Sequence, residues 1–241
     1  MKENIKYGII GAGVMGQEHI QNINIIENAE VVAVCDTNEN SRRQAKSLVK
    51  ESAKFYNDFN ELISKNIADA YIIATPNFTH INILEQILKT NKHLLIEKPL
   101  CTTTDDCKKF ELLSKNYSKI IWTGMEYRYM PPVKQLISEV HNNVIGEIKM
   151  LSIREHRFPF LHKVDDWNRF AINTGGTLVE KCCHFFDLMR LIIQSEPVKV
   201  YASGNQDVNH LEEKYDGKTP DIIDNAFVIV DFENGVRGML D

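Results

Sequence analysis

The sequence has little that would suit a membrane or a nucleic acid. None of its apolar runs reaches the roughly 18 residues that a membrane-spanning helix needs. The first six residues lead directly into a strand pattern, without the apolar segment and small-residue cleavage site of a secretion signal. The net charge is −5, so no overall positive field attracts nucleic acid or an anionic membrane surface. We therefore expect no membrane span, no signal peptide and no nucleic-acid partner.

Cysteine is also scarce: there are 5, an odd number, and no Cys-x-x-Cys spacing occurs among them. Free thiols in a reducing compartment are the simplest interpretation, which predicts a cytoplasmic location. A metal site on Glu180, Cys182, Cys183 and His184 is disfavoured, because adjacent helical residues point about 100° apart and cannot easily share a tetrahedral ion. We expect no bound metal.

What the sequence does have is an alternation of short apolar and longer amphipathic runs from Ile5 to about Gly124. Continuous Val/Ile runs are typical of strands buried on both faces, and helices between them would connect parallel strands. This pattern predicts a doubly wound, Rossmann-type α/β domain. The predicted strands are Ile5–Ile10, Glu30–Asp36, Ala53–Tyr56, Ala68–Thr75, His93–Glu97 and Lys119–Thr123, and the predicted helices are Val14–Glu27, Asn40–Ser52, Phe59–Ser64, His80–Thr90 and Asp105–Lys115.

The pattern changes after Gly124, so we predict a nucleotide-binding domain over residues 1–124 and a second domain over residues 125–241. Strand patterns in the second part follow one another directly, which indicates an α+β domain with a largely antiparallel sheet. Because the chain stops inside a predicted hairpin, leaving an unpaired strand, we expect this domain to be incomplete at its C-terminus. The predicted elements are helices Val133–Asn142 and Gly176–Gln194, strands Glu147–Phe158, Lys199–Gly204 and Ala226–Phe232, a turn at Asn234-Gly235 and a returning strand Val236–Asp241.

A glycine motif, Gly11-Ala12-Gly13-Val14-Met15-Gly16, stands between the first predicted strand and the first predicted helix. In this setting Gly11 permits a tight turn, Gly13 lets a pyrophosphate approach the backbone, and Gly16 lets the helix pack closely on the sheet. The helix N-terminus adds unpaired N–H groups and the positive end of a dipole. We therefore predict that these six residues hold the pyrophosphate of a dinucleotide.

Asp36 ends the second predicted strand, twenty residues after Gly16. A carboxylate at this position accepts hydrogen bonds from the adenosine ribose and repels a 2′-phosphate, so NAD is the predicted cofactor in preference to NADP. Arg42 and Arg43 could in principle hold such a phosphate, but we expect both on the exposed face of the next helix.

Two further motifs stand at the carboxyl ends of predicted parallel strands, where ligands bind in open α/β sheets. One is Thr75-Pro76-Asn77 with His80 beyond it, and the other is Glu97-Lys98-Pro99. With the glycine turn, they resemble the Gfo/Idh/MocA oxidoreductases, the family of glucose–fructose oxidoreductase and inositol dehydrogenase. The stretch Gly175–Asp187 is similar to a helix of that family, although Glu180 stands where many members have Asp, and Cys182 where many have Gly.

The resemblance implies that Lys98 and His184 are catalytic and that they face each other across an interdomain cleft. His184 would be the general base, because imidazole titrates near neutral pH. Glu180, a third catalytic candidate, precedes it by four residues on one predicted helix face, and either Glu180 or Asp187 would position it. In the family that the motifs resemble, the Lys98–Pro99 peptide is often cis, but the sequence alone leaves cis and trans open. The expected cofactor contacts beyond the glycine turn and Asp36 are Thr75, Pro76, Asn77, His80, Glu97 and Lys98, and the expected substrate contacts are Lys98, Arg157, Trp167 and His184.

The implied function is hydride transfer between NAD and a secondary hydroxyl of a sugar, inositol or related polyol, in a homo-oligomer built through the second-domain sheet. Two alternatives stay open. One is a glycosidase or lyase that oxidises and re-reduces one sugar carbon, and the other is a non-catalytic NAD-binding sensor. A solvated loop would explain the stretch around Trp167 nearly as well as a substrate contact.

Overall fold

The computed structural model of the chain describes residues 4–241. The chain divides into two compact units, Met1–Gly124 and Met125–Asp241. Within the described range, no helix combines the length and the apolar composition that crossing a bilayer requires.

The first unit contains a parallel sheet of six strands in the order β3-β2-β1-β4-β5-β6. The chain runs outward from β1 to β3 and then crosses back to β4 on the other side of β1. The carboxyl ends of β1 and β4 therefore form the switch point at which such sheets bind ligands. This confirms the doubly wound prediction. The strands are β1 Ile5–Ile10, β2 Ala29–Cys35, β3 Lys54–Tyr56, β4 Ala70–Ile73, β5 His93–Ile96 and β6 Ile121–Thr123.

Helices cover both faces of this sheet because successive strand residues point to opposite sides. Ile9 and Ile72 pack on one side, against α1 and α2, whereas Ile10 and Ile73 pack on the other, against α3, α4 and α5. Each of these four isoleucines is 3% exposed or less. Burial of each stabilises the fold by about 1.5–3 kcal/mol. The helices are α1 Val14–Asn24, α2 Glu39–Lys46, α3 Phe59–Ser64, α4 His80–Ile87 and α5 Thr104–Ser114.

The first two helices are shorter than predicted, ending at Asn24 and Lys46. Just beyond these ends, the N–H groups of Ile26 and Leu48 donate to carbonyl oxygens three residues earlier, each at 3.0 Å. Such bonds tighten the last turn and end an α-helix. Apolar residues continue past both points, so the sequence pattern alone overestimates the length of each helix.

The second unit contains a mixed sheet in the order β7-β10-β9-β8. β9 is antiparallel to both of its neighbours, and β10 is parallel to β7. Phe185 and Met189 of α9 pack against Val230 and Phe232 of β9, which gives this unit its own apolar core. The elements are α6 Pro131–His141, β7 Met150–Ile153, α7 Ala171–Thr174, α8 Thr177–Glu180, α9 Cys183–Ile193, β8 Pro197–Asn205, β9 Asn225–Phe232 and β10 Arg237–Leu240.

Two predicted elements of this unit are wrong in extent. The predicted strand Glu147–Phe158 pairs only over Met150–Ile153, because its ladder with β10 covers four residues. The predicted helix Gly176–Gln194 is interrupted between α8 and α9. There the N–H of Cys182 reaches back five residues to the carbonyl of Thr177, at 3.3 Å, which is a wider turn than an α-helix makes.

Candidate active site

The glycine turn after β1 has the geometry that its motif requires. Gly11 has φ +95°, and a Cβ at this residue would lie 2.5 Å from main-chain atoms of Ala74. A Cβ at Gly16 would lie 1.9 Å from the carbonyl oxygen of Gly11. No atom lies within 4 Å of the position a Cβ would take at Gly13. The first and third glycines thus keep the turn closed, while the middle one leaves open space beside the backbone.

The helix that follows offers its N-terminus to that space. Gly13 is the N-cap of α1, no side chain caps the helix, and its first turn holds no acidic residue. Unpaired N–H groups and the positive end of the helix dipole favour an anion at such a position. A dinucleotide pyrophosphate therefore fits this cradle in both shape and charge.

Asp36 lies beside the same turn and is half-buried. Its Oδ2 accepts the N–H of Ala12 at 2.7 Å, and its Oδ1 accepts the N–H of Asn38 at 2.7 Å. A carboxylate has about four lone-pair sites, so each oxygen retains one for a ribose hydroxyl. Asp36 thus fixes the glycine turn and keeps acceptor capacity beside it.

The prediction for the two arginines of α2 is right for one and wrong for the other. Arg43 is exposed and pairs with Glu39 at 2.9 Å. Arg42 is half-buried, and its Nη1 donates to the carbonyl oxygens of Asp36 and Thr37, at 2.5 and 3.0 Å. A guanidinium therefore lies next to Asp36, because the two carbonyls at the end of β2 attract it.

His80 corrects another prediction. Its side chain is fully buried, with Nδ1 3.0 Å from the carbonyl oxygen of Pro99 and Nε2 3.0 Å from that of Thr75. Burial lowers the pKa of His80 below its usual value, although the two carbonyls oppose that shift. The ring joins the Thr-Pro-Asn and Glu-Lys-Pro segments from behind, so it supports the expected cofactor contacts instead of making one.

Glu97 and Lys98 follow β5, and the peptide between Lys98 and Pro99 is cis. Glu97 is 7% exposed, and its Oε1 lies 2.7 Å from Nε2 of His19 on α1. Its Oε2 accepts the N–H of Lys98 at 3.2 Å. Burial would raise the pKa of Glu97, but the hydrogen bond and charge of His19, together with Lys98, hold it below its usual value.

Sequence reasoning missed His19. The signal was present, because His19 lies three residues after Gly16 and four before Ile23, and both of these residues face the core from α1. A polar ring on the buried side of this helix needs a buried partner. Glu97 is that partner. Thr75, an expected cofactor contact, is held within its own turn, where its Oγ1 accepts a hydrogen bond from the hydroxyl of Thr79 at 2.7 Å.

In the second unit, His184 is the second residue of α9 and is 2% exposed. Its ring stacks on Tyr127, with centroids 4.2 Å apart and planes 7° from parallel. Its Nε2 lies 3.4 Å from Oε1 of Glu126. Glu180, at the end of α8, is 5% exposed. The helix break after Glu180 means that the predicted one-face spacing of Glu180 and His184 no longer follows from helix geometry.

Asp187 does not position His184 as predicted. Both of its carboxylate oxygens accept from the guanidinium of Arg128, with Nε to Oδ2 at 2.5 Å, and this pairing raises the pKa of Arg128. A bidentate pair of this kind is geometrically specific. It ties the segment that carries Tyr127 to α9, so Asp187 affects His184 through the stacked ring.

Lys181 is a second residue that sequence reasoning missed. Its Nζ donates to the hydroxyl of Tyr127, lies 3.5 Å from Oε1 of Glu155 and sits 5.6 Å from the ring centroid of Phe185. Its side chain is 13% exposed. A lone lysine within an apolar run was the available signal, because lysine is rarely buried unless it is paired.

Of the three expected substrate contacts in this unit, His184 is described above, and the other two lie in different surroundings. Arg157 is exposed, with its guanidinium 5.4 and 5.3 Å from the ring centroids of Phe158 and Phe160, and it lines a shallow pocket. Trp167 is half-buried under Nζ of Lys163, 5.0 Å from the ring centroid, and does not line that pocket.

The stretch around Trp167 is not a solvated loop. Asn168 and Arg169 are 0% and 1% exposed, and Arg169 donates to Glu213 at 2.8 Å.

Within the described range, no group of three or more His, Cys, Asp or Glu residues is placed to hold a metal ion. All five cysteines are free, and burial raises the pKa of Cys35 and Cys101 to about 12.

Two family models match this chain. One, described as an oxidoreductase family with an NAD-binding Rossmann fold, covers residues 5–125. The other, described as the C-terminal alpha/beta domain of that oxidoreductase family, covers residues 137–241. Together they span both units.

Individual relatives agree with the family match. A myo-inositol 2-dehydrogenase of Thermotoga maritima is 30% identical over 98% of this chain and 68% of its own length. A glucose-6-phosphate 3-dehydrogenase of Bacillus subtilis is 32% identical over 87% of this chain and 60% of its own length. The crystal structure of a probable dehydrogenase from Thermotoga maritima superposes with a TM-score of 0.82 at 29% identity, covering 98% of this chain and 68% of that one. The chain thus spans 60 to 68% of the length of these relatives.

Proposed function

The chain belongs to the Gfo/Idh/MocA oxidoreductase family, and from that premise we propose that it oxidises a secondary hydroxyl of a polyol or sugar with NAD as hydride acceptor. The family description supplies the NAD-binding Rossmann fold. The relatives whose names specify inositol and glucose 6-phosphate suggest the substrate class. Substrate, catalytic residues and direction are our proposals for this chain.

One observation carries the proposal. Nε2 of His19 lies 2.7 Å from Oε1 of Glu97, which joins the helix of the glycine turn to the residue before Lys98. The place where an NAD pyrophosphate would bind and the candidate catalytic lysine therefore belong to one hydrogen-bonded edge of one sheet. A sensor that only binds NAD has no need for a lysine at this edge.

The residues that would hold NAD are those of the first unit's sheet edge. Gly11, Gly13 and Gly16 would cradle the pyrophosphate, Asp36 would accept from the adenosine ribose, and Thr75 with its neighbours would line the nicotinamide side. When bound, the nicotinamide ring exchanges a hydride with the carbinol carbon.

The protein's own residues would manage the proton and the developing charge. Nζ of Lys98 would stabilise the oxygen as it becomes an alkoxide. His184 would take the hydroxyl proton, and the imidazolium would hold its Nε2 proton toward Oε1 of Glu126, 3.4 Å away and 56% exposed to water. The π face of Tyr127 would favour that cation. Glu180, buried near the start of α9, would orient the substrate hydroxyl.

We also infer a homo-oligomer that forms through the sheet of the second unit. The strand register places Tyr201, Phe227 and Ile229 on the face opposite the packed core, and they are 51, 65 and 44% exposed. Met150, 76% exposed, shares that face through the ladders with β10. Apolar surface of this extent on a sheet is typical of an interface. A cytoplasmic location stays a prediction from the free cysteines.

The test is formation of NADH, followed by its absorbance, across a panel of inositols, sugars and sugar phosphates. We expect net NADH with at least one unsubstituted polyol. Loss of a general base costs about 10² to 10⁴ in rate, so His184→Ala should lower kcat by that factor while NAD still binds. Lys98→Met should lower kcat in the same way.

Matched controls separate these effects from general damage. Lys89→Met and His141→Ala alter exposed residues in the first and second units, and they should leave kcat unchanged. A glycosidase or lyase would release product from a glycoside without net NADH. A sensor would bind NAD and turn over nothing, and either result would contradict the proposal.

A further inference from the structure

A shallow pocket lies within the second unit, and the proposed chemistry does not use it. Its volume is about 70 Å³, above the roughly 10–15 Å³ that a single water molecule needs. Its walls combine aromatic, aliphatic and polar side chains. Among them are Arg157, Phe158, Phe160, Thr177, His210 and Ile222.

His210 is the unusual member of this lining. Its side chain is 7% exposed, and its Nδ1 lies 2.8 Å from Oε1 of Glu213. Its other ring nitrogen, Nε2, is buried and has no hydrogen-bond partner among the described residues. Buried side-chain nitrogens in folded proteins are nearly always bonded. Because His210 lines the pocket, this unpartnered nitrogen points to a partner that the described residues do not supply.

The orientation of His210 is fixed from behind. Nε of Arg169 and the hydroxyl of Tyr215 both donate to Oε2 of Glu213, each at 2.8 Å, and Arg169 is 1% exposed. Burial would raise the pKa of Glu213, but hydrogen bonds from His210, Tyr215 and Arg169 lower it to about 2, so Glu213 is a carboxylate. A carboxylate can only accept, so Nδ1 of His210 carries the proton. In the neutral ring, Nε2 is then an acceptor.

The rest of the pocket selects the kind of partner. Phe158, Phe160 and Ile222 offer apolar walls that suit the C–H face of a ring. Arg157 contributes a positive charge, but the carboxylate of Asp224 also lines the pocket, so charge does not select an anion. Asp224 already accepts the N–H groups of residues 207–209 at 3.1, 2.8 and 2.6 Å. These walls, with an acceptor nitrogen that Glu213 orients, favour a hydroxyl on a saturated ring.

The pocket adjoins the candidate catalytic residues of this unit. Thr177 lines it and is the first residue of α8, whereas Glu180 is the last. Residues three apart on a helix are separated by about 4.5 Å along its axis. A ring lying against Thr177 would thus be within one turn of Glu180.

We propose that this pocket binds the hydroxylated ring of the polyol substrate on the side away from the reacting carbon, with a ring hydroxyl donating to Nε2 of His210. His210 is then a specificity-determining residue, and Glu213 and Arg169 position it. The inference rests on the proposed function for the class of substrate only. It does not depend on whether hydride transfer occurs.

The experiment is ¹⁵N NMR of the histidine rings in the full chain, titrated with myo-inositol and, separately, with D-glucose. We expect the Nε2 resonance of His210 to move with at least one of these probes, with NAD absent or present. His210→Phe keeps a ring but removes both nitrogens. It should weaken the binding of that probe about tenfold, which is the effect of losing one hydrogen bond at a buried group. His210→Gln, whose amide reaches toward the Nε2 position, should recover part of the affinity.

His162→Phe is the matched control, because His162 also bonds a carboxylate of this network, Asp166 at 2.8 Å, but is 76% exposed and does not line the pocket. It should leave binding unchanged. A shift of the His210 Nε2 resonance without NADH formation would support ring binding in this pocket and contradict the proposed function. NADH formation with an unmoved signal, or an unchanged KM in His210→Phe, would overturn the pocket alone. Failure of both probes to bind would overturn it as well.

Discussion

At the scale of single residues, the sheet edge where we expect NAD to bind depends on a few charged side chains that lie close to one another. Asp36 accepts two main-chain N–H groups, while Arg42 donates to the carbonyl oxygens beside it. The carboxylate is thus both a structural acceptor and the group that would repel a 2′-phosphate. A guanidinium that would attract such a phosphate already lies next to it.

This juxtaposition predicts the effect of Asp36→Ala. NAD should bind more weakly, and the preference over NADP should narrow, because an acceptor and a repulsive charge are both lost. Any gain in NADP binding should disappear in the double variant with Arg42→Ala but persist with Arg43→Ala, since Arg43 is exposed and pairs with Glu39. Fluorescence titration with both cofactors measures this. Tighter NADP binding by the unmutated chain would show that Asp36 does not select the cofactor.

A second residue-scale prediction concerns pH. Burial lowers the pKa of His80 in the folded chain. Below about pH 6.5, the unfolded chain therefore binds a proton at His80 that the folded chain does not bind. Stability should therefore fall as pH decreases through that value, and it should be regained above it. Denaturant titrations between neutral pH and about pH 5 test this window. His80→Gln should be less stable at neutral pH but show a shallower loss on acidification. An unchanged slope would contradict the assignment.

At the scale of elements, the strand–turn–helix unit of β1 and α1 could be predicted almost completely. The glycine spacing specifies a conformation and two close approaches, and the structure has all of them. The α8–α9 region could not be predicted in the same way. Nothing in the apolar run marks the wide turn at Cys182, because both sides of it have helical periodicity. Likewise, the ladder with β10, and not the composition of residues 147–158, limits the extent of β7.

The turn gives a paired prediction. Gly16→Ala should destabilise the first unit, because its Cβ would lie 1.9 Å from a main-chain oxygen that cannot move away easily. Gly13→Ala should fold normally, since its Cβ meets nothing within 4 Å, yet it should bind NAD poorly because the methyl occupies the space beside the cradle. Thermal melts and NAD titrations separate the two. Normal NAD affinity in Gly13→Ala would contradict the assignment of the cradle.

At the scale of the whole molecule, the family resemblance rests on motifs that lie in both units, and the family match covers both. The sequence also predicts Glu97, Lys98 and His184 as site residues. It does not reveal the partners of His19, Lys181 and Arg128, because each of these contacts joins residues far apart in the chain. Periodicity reports which face is buried but not which polar group meets it there.

Assembly gives a prediction at this scale. If the exposed sheet face of the second unit is an interface, Ile229→Asp should dissociate the assembly by placing a charge among Tyr201, Phe227 and Met150. Light scattering coupled to size exclusion measures the mass. Val208→Asp is the control, because Val208 is 76% exposed in a loop outside that face. Equal masses for the unmutated chain and Ile229→Asp would argue against this interface.

The central claim is that this chain moves a hydride from a polyol carbon to NAD, and deuterium tests it most directly. The substrate from the panel is deuterated at the carbon that carries the reacting hydroxyl, and mass spectrometry follows the label. We predict that the reduced cofactor carries one deuterium, that the rate falls with the heavier isotope, and that Lys98→Met forms labelled cofactor far more slowly than Lys89→Met. Reduced cofactor without deuterium, or equal rates for the two lysine variants, would contradict the account.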